Sequence, residues 1–201
     1  QIVLLTTNKN IKEILKQAKI FNVKNLIITD KNKFLIIKRK LKNKKIKIFN
    51  NFDDLDKILT KKIDYTMSSI VGLNGLLPTI KIIKHSKYIA IANKESIICA
   101  WNLINKELIK YKTIFIPVDS EHFSIWSLIG NTPKFKVDKI ILTASGGPFL
   151  NLPLNKFKTI SISEAIKHPN WSMGKKISID SATMMNKVFE IIEAKNIFEL
   201  N

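Results

Sequence analysis

Tyr88-Ile89-Ala90-Ile91-Ala92-Asn93-Lys94-Glu95-Ser96 decides the fold. An uncharged run stops abruptly at a polar corner. The run has the length of a strand and is far too short for a membrane span. Over 95–109 the pattern becomes helical, and 113–118 is a second short apolar run. Strand, helix, strand is the crossover unit of a parallel sheet. Working outward to the N-terminus, the alternation recurs, with strands expected over 2–7, 26–29, 46–49 and 65–71. Helices are expected over 10–21, after residue 29, over 51–59 and over 76–84. The chain therefore reads as α/β, with a doubly wound, mostly parallel sheet.

Composition narrows the function classes. Of 201 residues, 45% are hydrophobic and 25% charged, the balance of a globular protein. A single cysteine, Cys99, excludes a disulfide scaffold. Lys and Arg number 34 against 16 acidic residues, a formal charge of +18. That excess invites a nucleic-acid reading. Against it, Arg39 is the only arginine, and the basic run Lys38-Arg39-Lys40-Leu41-Lys42-Asn43-Lys44-Lys45 has no aromatic residue for base stacking. That run reads as a solvated helix end and turn, and no nucleic-acid partner is expected. The positive field would still draw phosphorylated metabolites.

Ligands of doubly wound sheets bind at the carboxyl ends of strands, so the residues just after each apolar run matter most. Pro117-Val118-Asp119-Ser120-Glu121-His122 follows one of them. Asp119 and Glu121 converge on one cation if the backbone turns there, and an all-oxygen donor set suits Mg²⁺ or Mn²⁺ rather than zinc. The competing reading is a helix start over 121–129 capped by Asp119 or Ser120. Further on, Asp180 or Ser181 is placed to cap a helix whose inward stripe is Met184, Val188, Ile191 and Ile192. Asn186 and Lys187 lie i,i+4 and i,i+3 from Glu190. The three either hold a phosphate and a metal together or form an exposed ion pair.

The remaining corners carry the same double reading. Ser145-Gly146-Gly147 follows a strand expected over 139–143, and it is either an anion-binding turn or a plain tight turn. His168, in His168-Pro169-Asn170-Trp171-Ser172-Met173-Gly174, is a surface histidine or part of a lid. Lys94, at the strand-to-helix corner, is solvated or a phosphate or carbonyl partner. Thr7-Asn8-Lys9-Asn10 follows the first strand. Lys9 is placed there to meet a 2′-phosphate, which favours NADP, whereas Asn8 or Asn10 equally suits a helix N-cap.

Each motif is weak alone, but their order is specific. Ala92 to Ser96, Pro117 to His122, Ser145 to Phe149, His168 to Gly174, and Asp180 to Lys187 with Glu190 together resemble the 1-deoxy-D-xylulose 5-phosphate reductoisomerase family. The resemblance spans essentially the whole chain and is densest over 88–194. It implies a Rossmann-like doubly wound parallel sheet that binds NADPH over 1–118, followed by part of an α/β catalytic domain over 119–201. It implies conversion of 1-deoxy-D-xylulose 5-phosphate to 2-C-methyl-D-erythritol 4-phosphate in non-mevalonate isoprenoid biosynthesis. The skeleton rearranges by retro-aldol cleavage and re-addition, and hydride then reduces the aldehyde. NADPH and Mn²⁺ or Mg²⁺ are the implied cofactors.

Residue by residue, the resemblance makes Asp119, Glu121 and Glu190 metal ligands, and Lys94, Glu121 and His168 catalytic. Ser120, Ser145, His168, Ser181, Asn186 and Lys187 become substrate-binding residues, chiefly for the phosphate. Asn93, Glu95 and Gly174 become nucleotide contacts, as do Asn8, Lys9 and Asn10 on a shorter match. Trp171 and Met173 become the cover over the ligand. Two departures stand out. Val188-Phe189 replaces a usual Gly-Leu pair, which is expected to shift the helix slightly, and Trp101 is bulky for its helix.

The resemblance also implies a glycine-rich turn ahead of Gln1 and further domains beyond Asn201. The chain is therefore expected to be an internal fragment, unstable or inactive alone and homodimeric when full length. The expected setting is bacterial cytoplasm, with a plastid-type organelle as the other option and no membrane partner. The rival readings are another NADP-dependent Rossmann oxidoreductase, which needs no carboxylate triad, a basic nucleic-acid-binding domain, and a non-catalytic remnant.

Overall fold

The computed structural model describes residues 1–41, 45–130, 137–168 and 171–200. The chain forms two compact units, Gln1–Asp64 with Lys84–Ser86, and Tyr65–Ile83 with Lys87–Asn201.

In the first unit, β1 (Leu4–Thr7), β2 (Asn25–Ile28) and β3 (Lys47–Phe49) pair in parallel in that order. The crossovers are α1 (Ile11–Ile20) and α2 (Lys31–Lys40). Both start on side-chain caps: Asn10 accepts from the Glu13 N–H, and Asp30 from the Lys33 N–H. Leu26, Ile27 and Ile28 of the central strand are fully buried, as a strand covered on both faces requires. Leu26 joins Ile14, Ala18 and Val23, and Ile28 joins Ile37 and Leu41. The helix expected over 51–59 contracts to α3 (Leu55–Ile58), because Asn51 accepts from the Asp53 N–H and turns the chain first. Lys38, Arg39 and Lys40 form the exposed last turn of α2, where cations suit the helix dipole. Lys42, Asn43 and Lys44 lie outside the described residues.

A second three-stranded sheet has the order β4 (Ile63–Ser68), β5 (Ser86–Ile91), β6 (Ile114–Pro117). β5 and β6 are parallel, with Tyr88 opposite Ile114 and Ile91 opposite Pro117. α4 (Leu76–Ile83) precedes β5, and α5 (Lys94–Tyr111) crosses from β5 to β6. α5 buries Ile97, Ala100, Ile104 and Leu108, one helical face. Trp101 is accommodated edge-on against Phe115, with ring centroids 5.2 Å apart. Parallel sheets with crossover helices make the fold α/β, as the alternation predicts.

After β6 come α6 (Ser120–Ile129), α7 (Ile162–Ala165), α8 (Lys175–Ala182) and α9 (Met185–Phe198). Three expectations are corrected here. The segment 139–143 is not a strand: 137–147 pairs with no strand among the described residues, and Ile140 and Leu142 pack instead on Ile125, Ala194 and Phe198. Asp180 and Ser181 cap nothing. They sit inside α8, and Met184, in the left-handed conformation at φ 61°, makes the corner into α9. The stripe Met184, Val188, Ile191 and Ile192 faces outward, while α9 buries Glu190, Glu193, Ala194 and Phe198 against its neighbours. Val188 is 43% exposed, so its side chain does not crowd the packed face of α9.

Candidate functional site

The corner from β5 into α5 is fixed by Asn93, which is buried. Its carbonyl oxygen accepts from the Ser96 N–H at 2.8 Å and caps α5. Its amide donates to the Gly72 carbonyl at 2.7 Å and to the Ile70 carbonyl. Gly75 lies so close that a Cβ there would strike the Ile70 carbonyl and the Asn93 amide. Asn93 thereby sets Lys94 as the first residue of α5, reaching into the site.

Asp119 does cap α6, accepting from the Glu121 N–H at 3.2 Å. This does not remove it from the site, because its other oxygen lies 3.1 Å from Lys94 Nζ. Lys94 also donates to Asn186 Oδ1 at 2.9 Å and lies 3.6 Å from Glu190 Oε1 and 3.8 Å from Glu193 Oε2. Asn186 donates to Glu190 Oε1. Lys187 pairs with Glu190 Oε2 and lies 3.3 Å from Glu121 Oε1. The i,i+3 and i,i+4 spacings around Glu190 therefore build a half-buried network rather than an exposed pair. One oxygen each from Asp119, Glu121 and Glu190 lies within 4.8 Å of the others. Three hard oxygen donors this close fit Mg²⁺ or Mn²⁺. Ser120 Oγ donates to Glu121 Oε2 at 2.7 Å and orients that carboxylate.

Two residues that sequence reading missed complete the cluster. His122, buried, meets the Glu190 carbonyl through Nε2 at 2.8 Å and faces Asp119 Oδ1 through Nδ1 at 3.2 Å. Glu193 is also buried, and its Oε2 has no hydrogen-bond partner among the described residues. Burial pushes its carboxyl up to about 7, only partly countered by Lys94 and His122. Burial alone would raise Asp119 too. The His122 hydrogen bond and the Lys94 charge outweigh it and hold that carboxyl well below the usual range. Burial works against the charged forms of Lys94, His122 and Lys187. The surrounding carboxylates nevertheless raise all three above their ordinary values.

A second set of polar groups adjoins the first. Lys187 donates to the Thr143 carbonyl, two residues before Ser145. Ser145 Oγ lies 3.3 Å from His168 Nε2 and accepts from the Gly147 N–H at 3.3 Å. Gly147, at φ +70°, approaches the Ser181 carbonyl to a distance that admits no Cβ. One turn, the loop after α7, and helices α8 and α9 thus bring together Ser145, His168, the Ser181 backbone and Lys187. Trp171 is exposed and its backbone N–H donates to His168 Nδ1 at 3.2 Å, whereas Met173 is half-buried. Pro169 and Asn170 lie outside the described residues.

Glu95 and Gly174 line a cleft of about 420 Å³ together with Lys94, Asp119, His122 and Asn186. Glu95 pairs with Lys176 at 3.6 Å, and Gly174 precedes α8. In the first unit, Asn8 donates to Thr29 Oγ1 at 2.8 Å, Asn10 caps α1, and Lys9 is exposed. All three follow β1, at the ligand-binding end of its sheet.

A family model described as 1-deoxy-D-xylulose 5-phosphate reductoisomerase matches residues 1–101. One for the C-terminal domain of that enzyme matches 115–198. The chain belongs to the 1-deoxy-D-xylulose 5-phosphate reductoisomerase family. Curated members include one from Pelagibacter ubique, 67% identical over all of this chain and 52% of its own length. Another, from Wolbachia pipientis, is 42% identical over all of this chain and 51% of its own length. The chain spans about half the length of these relatives. Among solved structures, the family member from Zymomonas mobilis in complex with NADPH superposes with a TM-score of 0.88 at 36% identity, covering all of this chain and 52% of that one. A DOX-P reductoisomerase in complex with NADPH, fosmidomycin and magnesium gives 0.82 at 34%, again covering all of this chain and 52% of its partner. No described helix is long and apolar enough to cross a membrane.

Proposed function

We propose that this chain supplies metal, phosphate and nucleotide contacts to an enzyme that rearranges 1-deoxy-D-xylulose 5-phosphate and reduces it to 2-C-methyl-D-erythritol 4-phosphate. The observation that carries this reading is the convergence of Asp119, Glu121 and Glu190 beside Lys94, Lys187 and the Ser145 turn. Asp119, Glu121 and Glu190 hold the divalent cation, whose Lewis acidity stabilises negative charge on neighbouring substrate oxygens. The relatives crystallised with magnesium and with NADPH support both cofactors.

The chain's own groups do the rest. Lys94 donates to substrate oxygens that gain charge as the skeleton rearranges. Glu121, oriented by Ser120, holds or moves a proton at its carboxylate. The Trp171 N–H occupies His168 Nδ1, so Nε2 carries the proton and donates. His168, Ser145, Ser181, Asn186 and Lys187 then bind the phosphate. Residues 1–118 take the nucleotide side, with Asn93 acting as the anchor of its corner, and 119–201 supply metal and phosphate ligands. Within the second unit Glu95 and Gly174 are nucleotide contacts, and within the first unit Asn8, Lys9 and Asn10 are contacts for an adenosine phosphate. The bacterial source of the relatives supports a bacterial cytoplasmic setting, and the full-length protein is taken as a homodimer.

The test is NADPH oxidation by the full-length protein with 1-deoxy-D-xylulose 5-phosphate and Mn²⁺. Oxidation should require both and fall by roughly 10²-fold or more in Glu190→Gln. A folded wild type that binds NADPH and turns over no 1-deoxy-D-xylulose 5-phosphate overturns the reading.

A further inference from the structure

Two lysines occupy all three carboxylates of the metal site. Lys94 Nζ lies 3.1 Å from Asp119 Oδ2 and 3.6 Å from Glu190 Oε1. Lys187 Nζ lies 3.3 Å from Glu121 Oε1 and pairs with Glu190 Oε2. Glu190, buried, thus has an ammonium against each of its oxygens. The pairings join three helices: Lys94 opens α5, Asp119 caps α6, and Lys187 and Glu190 lie in the N-terminal half of α9. Three carboxylates sharing a half-buried space repel one another, and the two ammoniums leave a net charge of −1. A carboxylate lone pair aimed at an ammonium is not free for a metal ion. A divalent cation added between the same oxygens would also sit beside two like charges.

Both lysines have other anion-binding or polar groups within reach. Lys187 already donates to the Thr143 carbonyl, beside the turn formed by Ser145, Gly146 and Gly147. Lys94 already donates to Asn186 Oδ1. We infer that Lys94 and Lys187 are exchangeable counter-ions: they hold Asp119, Glu121 and Glu190 together without metal, and release them to an arriving divalent cation. The freed ammoniums then turn to the phosphate-bearing ligand. Cation and phosphorylated ligand consequently bind with positive coupling, because each removes the other's competitor, and the coupling is reciprocal. The inference rests on the reading of these carboxylates as the metal site, and it goes beyond it by making the lysines competitors of the metal.

The test reads metal binding rather than turnover. Mn²⁺ is titrated into the full-length protein without NADPH or substrate, and free Mn²⁺ is followed by electron paramagnetic resonance. Wild type, Lys94→Met, Lys187→Met and Glu190→Gln are compared, each with and without glycerol 3-phosphate as the phosphate-bearing probe. Each lysine variant should bind Mn²⁺ at least about five-fold more tightly than wild type. Glycerol 3-phosphate should tighten Mn²⁺ binding by wild type, and tighten it less in Lys187→Met. If Lys94→Met does not fold, Lys187→Met decides alone, since it bridges Glu121 and Glu190. Mn²⁺ affinity unchanged or weakened in the lysine variants, with Glu190→Gln still impaired, overturns the counter-ion exchange and leaves the metal site standing. Wild-type Mn²⁺ binding that Glu190→Gln does not weaken overturns both.

Discussion

His122 Nε2 lies 2.8 Å from the backbone carbonyl of Glu190, joining the first turn of α6 to the middle of α9. A carbonyl only accepts, so Nε2 carries a proton, and Nδ1 is left facing Asp119 Oδ1 at 3.2 Å. One buried ring therefore positions the Asp119 carboxylate at the start of one helix and the Glu190 backbone on another. His122→Ala leaves the Glu190 carbonyl unsatisfied and opens a cavity. The expected loss of stability is about 2–4 kcal/mol in urea denaturation of the full-length protein. A loss below about 0.5 kcal/mol would contradict this role.

Glu193 sets a pH dependence. Burial raises its folded pKa to about 7 from the ordinary 4.5 of a glutamate. Between those values the folded chain retains a proton that the unfolded chain has lost. Stability therefore falls as pH rises through that window, and the penalty is complete above it. Metal-free Glu193→Gln should be more stable than wild type near pH 8 by on the order of 1–3 kcal/mol, and indistinguishable below the window. An equal difference at both ends would show that ionisation of Glu193 is not the cause.

The corner that presents Lys94 depends on Asn93. Asn93→Ala removes a helix cap and two hydrogen bonds to the loop carbonyls of Ile70 and Gly72. The cost should be about 2–3 kcal/mol by thermal unfolding. Gly75→Ala should act on the same corner through collision with the Ile70 carbonyl. Wild-type melting of both variants would mean the corner is held elsewhere.

Gly147 has a positive φ of +70° and no room for a Cβ beside the Ser181 carbonyl. Gly147→Ala should displace the Ser145 turn from α8 and weaken binding of glycerol 3-phosphate, while costing about 1–3 kcal/mol of stability. Isothermal titration measures the first effect. Unchanged affinity would separate this turn from the phosphate.

The first half of the fold was legible because short apolar runs such as 88–92 and helical stretches such as 95–109 have distinct periods, and the motifs fall after strands where such sheets bind ligands. α9 was read with the wrong face inward. Treating Met184, Val188, Ile191 and Ile192 as the buried stripe assumes that apolar side chains point to the core. Here the inward face carries Glu190, Glu193, Ala194 and Phe198, spaced i, i+3, i+4 and i+8. That spacing is itself helical, and it was masked because two of its members are buried carboxylates, of which Glu190 is paired with Lys94 and Lys187. His122, one turn after Asp119, was hidden for the same reason. The apolar run 139–143 suits a strand or a surface packed on helices equally well, and only its neighbours decide between them.

The most direct test of the proposed metal site is a crystal of the full-length protein soaked in Mn²⁺, with the ion located by its anomalous scattering. One strong peak is expected about 2.0–2.3 Å from oxygens of Asp119, Glu121 and Glu190, with Lys94 and Lys187 drawn away from them. A peak bound by other residues, or none at these three carboxylates, would contradict it.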